Sequence, residues 1–250
     1  MRVLRFVLGR AHLVSLLGLL GAAGWAFVAW MTLDMGHPWV VLMMPISAQW
    51  HVQTTIAVFL MWAIMMVAMM LPAASPMISL FDMIESRKPP AQPGRLAAFI
   101  GGYLAVWVGF AIGATALQWL LQGFRLVNPM AESTSAWLTS ALLLVAGLYQ
   151  FSSLKDVCLR FCQSPIGFLI MQWRPGVSGA LAMGVKHGIY CVGCCWALML
   201  LLFVAGAMNL VWIVALTAVI AAEKLLPANA WISRGLGACL VAGAVAALIW

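Results

Sequence analysis

Six cysteines stand in this 250-residue chain, and five of them fall between residues 158 and 195. Cys158 and Cys162 are four apart, which places them on one face of a helix. The run HGIYCVGCCW follows, and at about 100° per residue His187, Cys191, Cys194 and Cys195 project within an arc of about 100°. Thiolates and imidazole gathered in this way suit Cu(I), Zn(II) or an iron–sulfur centre. Cysteine is also a small apolar residue favoured in cores, and Cys239, alone in the last apolar stretch, is read in that sense.

Methionine is the second soft donor. The chain has 17, and the stretch MWAIMMVAMMLPAASPM sets Met61, Met65 and Met69 in one stripe and Met66, Met70 and Met77 in another. Thioethers select Cu(I) over Zn(II), although methionine also fills gaps between helices. A row of one residue in four, Met183, His187, Cys191, Cys195 and Met199, winds along about 24 Å of helix, a pattern that fits a conduit and fits chance in a Met-rich chain equally well. Met65, Met66, Met69, Met70, Met199 and Glu223 are therefore accessory candidates beside the Cys/His set. Glu223 could orient the imidazole of His187, whereas Lys224 reads as a residue snorkelling to water. On the opposite side, MTLDMGHPW offers Met31, Asp34, Met35 and His37 as a weak metal-access point or a solvated turn.

The elements that must carry these residues follow from composition. Hydrophobic residues make up 65% of the chain and charged residues 8%, too few charges to cover a soluble fold of this size. Seven apolar stretches approach the length of a membrane span, about 20 residues: Ala11–Leu33, Thr54–Phe81, Leu96–Leu121, Ser133–Phe151, His187–Met208, Leu210–Leu226 and Ile232–Trp250. The runs are continuous rather than alternating, so an all-α polytopic bundle is expected, not a barrel. Pro72 and Pro76 predict a kink or break late in the second span. With no small-residue cleavage site after it, the first stretch reads as an anchor rather than a signal peptide.

Orientation comes from Lys and Arg. With the N-terminus inside, Arg2, Arg5, Arg10, Arg87, Lys88, Arg95, Lys155, Arg160, Arg174, Lys186, Lys224 and Arg234 all lie inside, leaving only Arg125 outside. The net charge of +7 is thus a topology signal and not a nucleic-acid footprint. The whole chain, residues 1–250, reads as one integral membrane domain of a bacterial inner membrane. Residues 152–186 form a cytoplasmic-side interfacial segment: a short amphipathic helix over Ser152–Cys162, a break at Pro165, an apolar piece over Ile166–Trp173 and a second break at Pro175-Gly176. The cysteines then sit at the cytoplasmic end, where thiols stay reduced and a structural disulfide is not expected.

There is no phosphate-binding loop, no HExxH and no Ser/His/Asp set. The pieces MWAIMMVAMMLPAASP, GLYQFSSLKDVCLRFCQSP and GVKHGIYCVGCCWALMLLLFVAGAMNLVW, with a later EK, give the chain its resemblance to a bacterial family of unknown function described as predicted metal-binding integral membrane proteins. The combination HGxYCxGCCW with MNL carries it, and Gln163 stands where a basic residue is expected. The resemblance implies metal binding at Cys158, Cys162, His187, Cys191, Cys194 and Cys195 and supplies no reaction. The sequence supports a copper-handling chaperone, transport or assembly component rather than a classical enzyme, with copper(I) favoured and zinc open. Its partners would be the lipid bilayer and a metal-delivery protein or membrane complex. A transmembrane thiol oxidoreductase using Cys191 and Cys194, and a non-catalytic subunit of a larger complex, are the alternatives.

Overall fold

The computed structural model describes residues 2–46, 49–87, 93–226 and 230–249, with side chains from residue 13 onward, residue 230 apart. Lys88 and the side chains of Arg2, Arg5 and Arg10, which the charge count used, lie outside that description. The described residues are helical, without a β-strand. In chain order they form α1 (Arg2–Leu33), α2 (Pro38–Met43), α3 (Val52–Glu85), α4 (Arg95–Gly123), α5 (Ala136–Tyr149) and α6 (Ser153–Gln163). Then come α7 (Pro165–Gln172), α8 (Gly176–Met199), α9 (Leu202–Ala205), α10 (Leu210–Leu225) and α11 (Ala230–Ile249).

Contacts between the helices give their directions. Gly24 of α1 meets Ala68 of α3 while Gly21 meets Leu71, so these two run antiparallel. Trp62 Nε1 donates to Gln118 Oε1 at 2.7 Å and Phe81 stacks on Phe99, which sets α3 against α4 in the same sense. By contrast α4 and α8 are parallel, because Gly184 approaches Phe99 and Gly188 approaches Val106. The intervening α5 returns the chain: Ser133 N donates to the Phe203 carbonyl near its start, and Tyr149 at its end donates to the Gly193 carbonyl. Trp212 of α10 reaches the Leu201 carbonyl and Lys224 reaches Cys191, so α10 opposes α8. Ser140 bonds to the Ala244 carbonyl while Gly147 faces Val241, so α11 opposes α5. The seven principal helices α1, α3, α4, α5, α8, α10 and α11 therefore alternate in direction along the chain.

Five of these elements, over Leu13–Leu33, Val52–Glu85, Arg95–Gly123, Gly176–Ala205 and Trp231–Ile249, are long and apolar enough to cross a membrane. The other two are shorter: α10 keeps its expected bounds to within a residue, whereas α5 falls five residues short of the stretch Ser133–Phe151. With 14 and 16 residues, α5 and α10 extend only about 21 and 24 Å, short of a hydrocarbon core of about 30 Å. Continuous apolar sequence does not reveal where such a helix stops; α5 ends at a bend of 66° into α6.

Two further expectations are corrected in part. Of the kink or break expected late in the second span, the break is absent, and α3 runs through both prolines. The carbonyl of Pro72, deprived of its partner by Pro76, accepts from Ser75 Oγ at 2.8 Å, so a local hydroxyl replaces the missing donor. The second correction concerns α8, which begins at Gly176 and not at His187. Nothing between Val177 and Lys186 breaks a helix once Pro175 and Gly176 (φ +75°) have turned the chain. The expected short helices α6 and α7 are present. Ser152 caps α6 by accepting from Leu154 N at 3.1 Å, and Pro165 opens α7 at a position where its missing N–H costs nothing.

The crossing of α4 and α8 is the closest in the bundle. A Cβ on Gly102 would strike the Leu181 carbonyl and one on Gly184 the Phe99 carbonyl. Gly184 and Gly188 form a GxxxG pair around His187, the small-residue pattern that lets apolar helices approach backbone to backbone. At one end of this crossing Arg95 donates to the Arg174 carbonyl at 2.9 Å, pairs with Glu85 at 3.4 Å and lies over Phe81 and Trp173.

Candidate functional site

The donor row of α8 faces the interior. Met183, His187, Cys191, Cys195 and Met199 are all at most 3% exposed. Met61, Met65, Met66, Met69, Met70 and Met77 of α3 are equally buried, which is what an inward stripe requires. Cys191 lies fifteen residues into α8, about 22 Å from its start. The earlier start of the helix thus recesses the thiols from the end where the sequence placed them.

Two contacts join α6 to the cysteine-rich part of α8. Cys162 Sγ of α6 lies 3.9 Å from Cys194 Sγ, 32 residues away in sequence. Cys158 packs on α8 at Gly193, where an added Cβ would come within 2.7 Å of its sulfur. A side chain there would force the Cys158 sulfur to move. On α6, outside the apolar spans, burial pushes the Cys158 thiol up. The thiols of Cys194 and Cys195 donate to the Cys191 carbonyl at 3.2 and 3.0 Å. All six cysteines are free, and Cys239 is exposed, away from the cluster.

A family model described as PpoB2, copper chaperone, matches residues 59–247. The chain belongs to the PpoB2 copper chaperone family. The match begins within α3 and ends within α11, so it takes in every cysteine. A search of curated proteins and one of solved structures found no match. Membership supports a copper-handling role for this chain.

Beside the thiols, His187 is enclosed by aromatic rings, with centroids at 5.3 Å from Phe168, 5.6 Å from Tyr103 and 6.2 Å from Phe99. Its Nδ1 is buried and has no hydrogen-bond partner among the described residues. A buried imidazole nitrogen without a partner is unusual outside a ligand site. Tyr103 OH contacts Cys191 Sγ at 3.3 Å. Still, among the described residues no three His, Cys, Asp or Glu side chains are gathered so as to hold an ion. The described residues present the Cys162–Cys194 sulfur pair and not a closed triad or tetrad.

The structure moves three residues from their expected places. Glu223 is not set against His187: its oxygens accept from Lys155 Nζ at 2.6 and 2.7 Å and from Ser233 Oγ at 2.8 Å. Lys155, counted in the sequence as an ordinary inner-surface charge, is fully buried and also bonded to Gln150. Lys224 does not snorkel. It is 4% exposed, and its ammonium donates to Cys191 Sγ at 3.0 Å, Met70 Sδ at 3.3 Å and Cys195 Sγ at 3.5 Å. This contact joins α3, α8 and α10 at one level. On the opposite side, Met31 is fully buried while His37 Nδ1 caps α2 by accepting from Trp39 N at 3.3 Å, so the MTLDMGHPW residues act as core and turn.

Proposed function

We propose that this protein is a bacterial inner-membrane copper chaperone that crosses the bilayer seven times and holds Cu(I) on a thiolate pair drawn from Cys162, Cys191 and Cys194. Cys158, Cys195 and His187 surround the pair, and the Met-lined face of α3 shields or passes the ion. The observation that carries this reading is the 3.9 Å approach of Cys162 Sγ to Cys194 Sγ across two helices. Two sulfurs at that spacing, each about 2.3 Å from a shared ion, subtend about 116°, an ordinary ligand angle. A structural zinc site calls for four donors, whereas Cu(I) is satisfied by two or three soft ones. The scarcity of closed donor sets and the abundance of thioethers both favour copper. A chaperone releases its cargo, so a metal-delivery partner belongs to this reading. The alternating helices and the basic residues together support an N-terminus inside and a C-terminus outside, with the sulfur site in the inner half of the membrane.

The test is metal content. Protein purified anaerobically under reducing conditions should retain close to one copper per chain, and Cys191→Ser/Cys194→Ser should lose it. Full copper occupancy in that variant, or zinc in place of copper in the parent protein, would overturn the reading.

A further inference from the structure

A buried cation is costly unless something of opposite charge answers it. In this chain the carboxylate beside Lys224 in sequence does not do so, since Glu223 is committed to Lys155 and Ser233. That pair is neutral in itself. The ammonium of Lys224 meets instead the Cys191 and Cys195 sulfurs, the Met70 thioether, the Cys191 carbonyl at 3.4 Å and the Trp107 ring, whose centroid lies 6.0 Å away. Every one of these is an electron-rich group, and only the thiols can carry a full negative charge. The surroundings of Lys224 are therefore balanced when the sulfur cluster bears a net charge of minus one.

We propose that Lys224 is the specificity-determining charge of the sulfur site, selecting a monovalent soft ion over a divalent one. The inference rests on the copper-site reading above and deepens it. Two thiolates around Cu(I) leave a net charge of minus one, which the ammonium neutralises. The same two thiolates around Zn(II), with neutral donors filling its other positions, make a neutral centre, and the ammonium then stands uncompensated in a low-dielectric interior. The lysine donates N–H···S hydrogen bonds to the sulfurs and is not itself a ligand.

The experiment measures Cu(I) and Zn(II) dissociation constants on the full-length protein in detergent, by competition with chromophoric chelators, for wild type, Lys224→Met and Lys224→Arg. The expected result is that Lys224→Met lowers the preference for Cu(I) over Zn(II) on the order of 100-fold, while Lys224→Arg, which keeps the charge, holds it within a few-fold. Thermal unfolding and gel filtration establish that each variant is folded, and Lys224→Gln replaces the Met variant if that one is not. An unchanged preference in the neutral variant, or equal loss in Lys224→Arg, overturns the role of the charge. These outcomes are distinct from failure of the copper site itself, in which wild type would bind neither ion through its cysteines.

Discussion

Glu223 and Lys224 are neighbours in sequence yet belong to different chemistry. Glu223 closes a buried network with Lys155, Gln150 and Ser233, and this network ties the end of α10 to α5, α6 and α11. Its purpose is positional: α6 carries Cys158 and Cys162, and Lys155 on the same helix fixes how it lies. Breaking such a pair by removing one partner leaves a naked buried charge, whereas replacing both with apolar groups does not. Glu223→Gln is therefore expected to destabilise the folded protein by about 3–5 kcal/mol, and Lys155→Met/Glu223→Leu to recover most of that loss in denaturant titrations. A double variant no more stable than the single one would mean that the carboxylate matters for a reason other than Lys155. None of this was legible in the sequence. Adjacent helical residues project about 100° apart, so one of the two can face sulfur while the other faces α6, but which does so depends on where α6 is folded. Nothing in the amphipathic pattern of SLKDVCLRFCQ marks Lys155 as the buried charge.

At the scale of elements, the crossing of α4 and α8 sets the site, because it fixes Tyr103 against Cys191 and the rings around His187. The glycines of α4 make a sharp comparison. Gly101 faces open space, while a side chain on Gly102 would enter the backbone of α8 at Leu181. Gly102→Leu is expected to abolish the monodisperse, folded species in detergent, whereas Gly101→Leu should stay within about 0.5 kcal/mol of wild type. Equal behaviour of the two in gel filtration and thermal unfolding would show that the helices can part without loss. Sequence patterning did not locate this crossing. Proline and glycine punctuation placed α6, α7 and the turn before α8, since those breaks are local chemistry. The start of α8 and the short reach of α5 were not readable, because hydropathy measures how apolar a segment is and not where its last helical turn ends, whereas α10 was bounded to within a residue. That Cys191, Cys194 and Cys195 share a buried face with His187 was legible from their spacing. That α6 meets α8 at Gly193 was not, although a glycine inside a cysteine-rich helix is in retrospect the mark of a close neighbour.

For the whole molecule, the parallel packing of α4 and α8 is the decisive relation. Two parallel neighbours joined by residues 124–175 require the chain to return from the far end of α4 to the near end of α8, and α5 with the α6–α7 pair makes that return despite its short helix. A corresponding return by α10 separates α8 from α11. Both short helices end on the same side, at Gln150 and Leu226, where Lys155 and Gln163 bridge toward the end of α10. At that side α6 packs on α8 with Cys162 against Cys194, as a short amphipathic element joined to α7 at Pro165. The topology has a direct check. In a Cys239→Ser background the remaining thiols are buried or half-buried, so an introduced exposed cysteine dominates labelling by a membrane-impermeant maleimide. Asp156→Cys on α6 should react in inside-out vesicles and stay unlabelled in right-side-out ones, and Arg125→Cys beyond α4 should do the reverse. The opposite pattern would invert the orientation. Reaction of both from one side would remove the crossing assigned to α5, and with it the placement of the sulfur site in the inner half of the membrane.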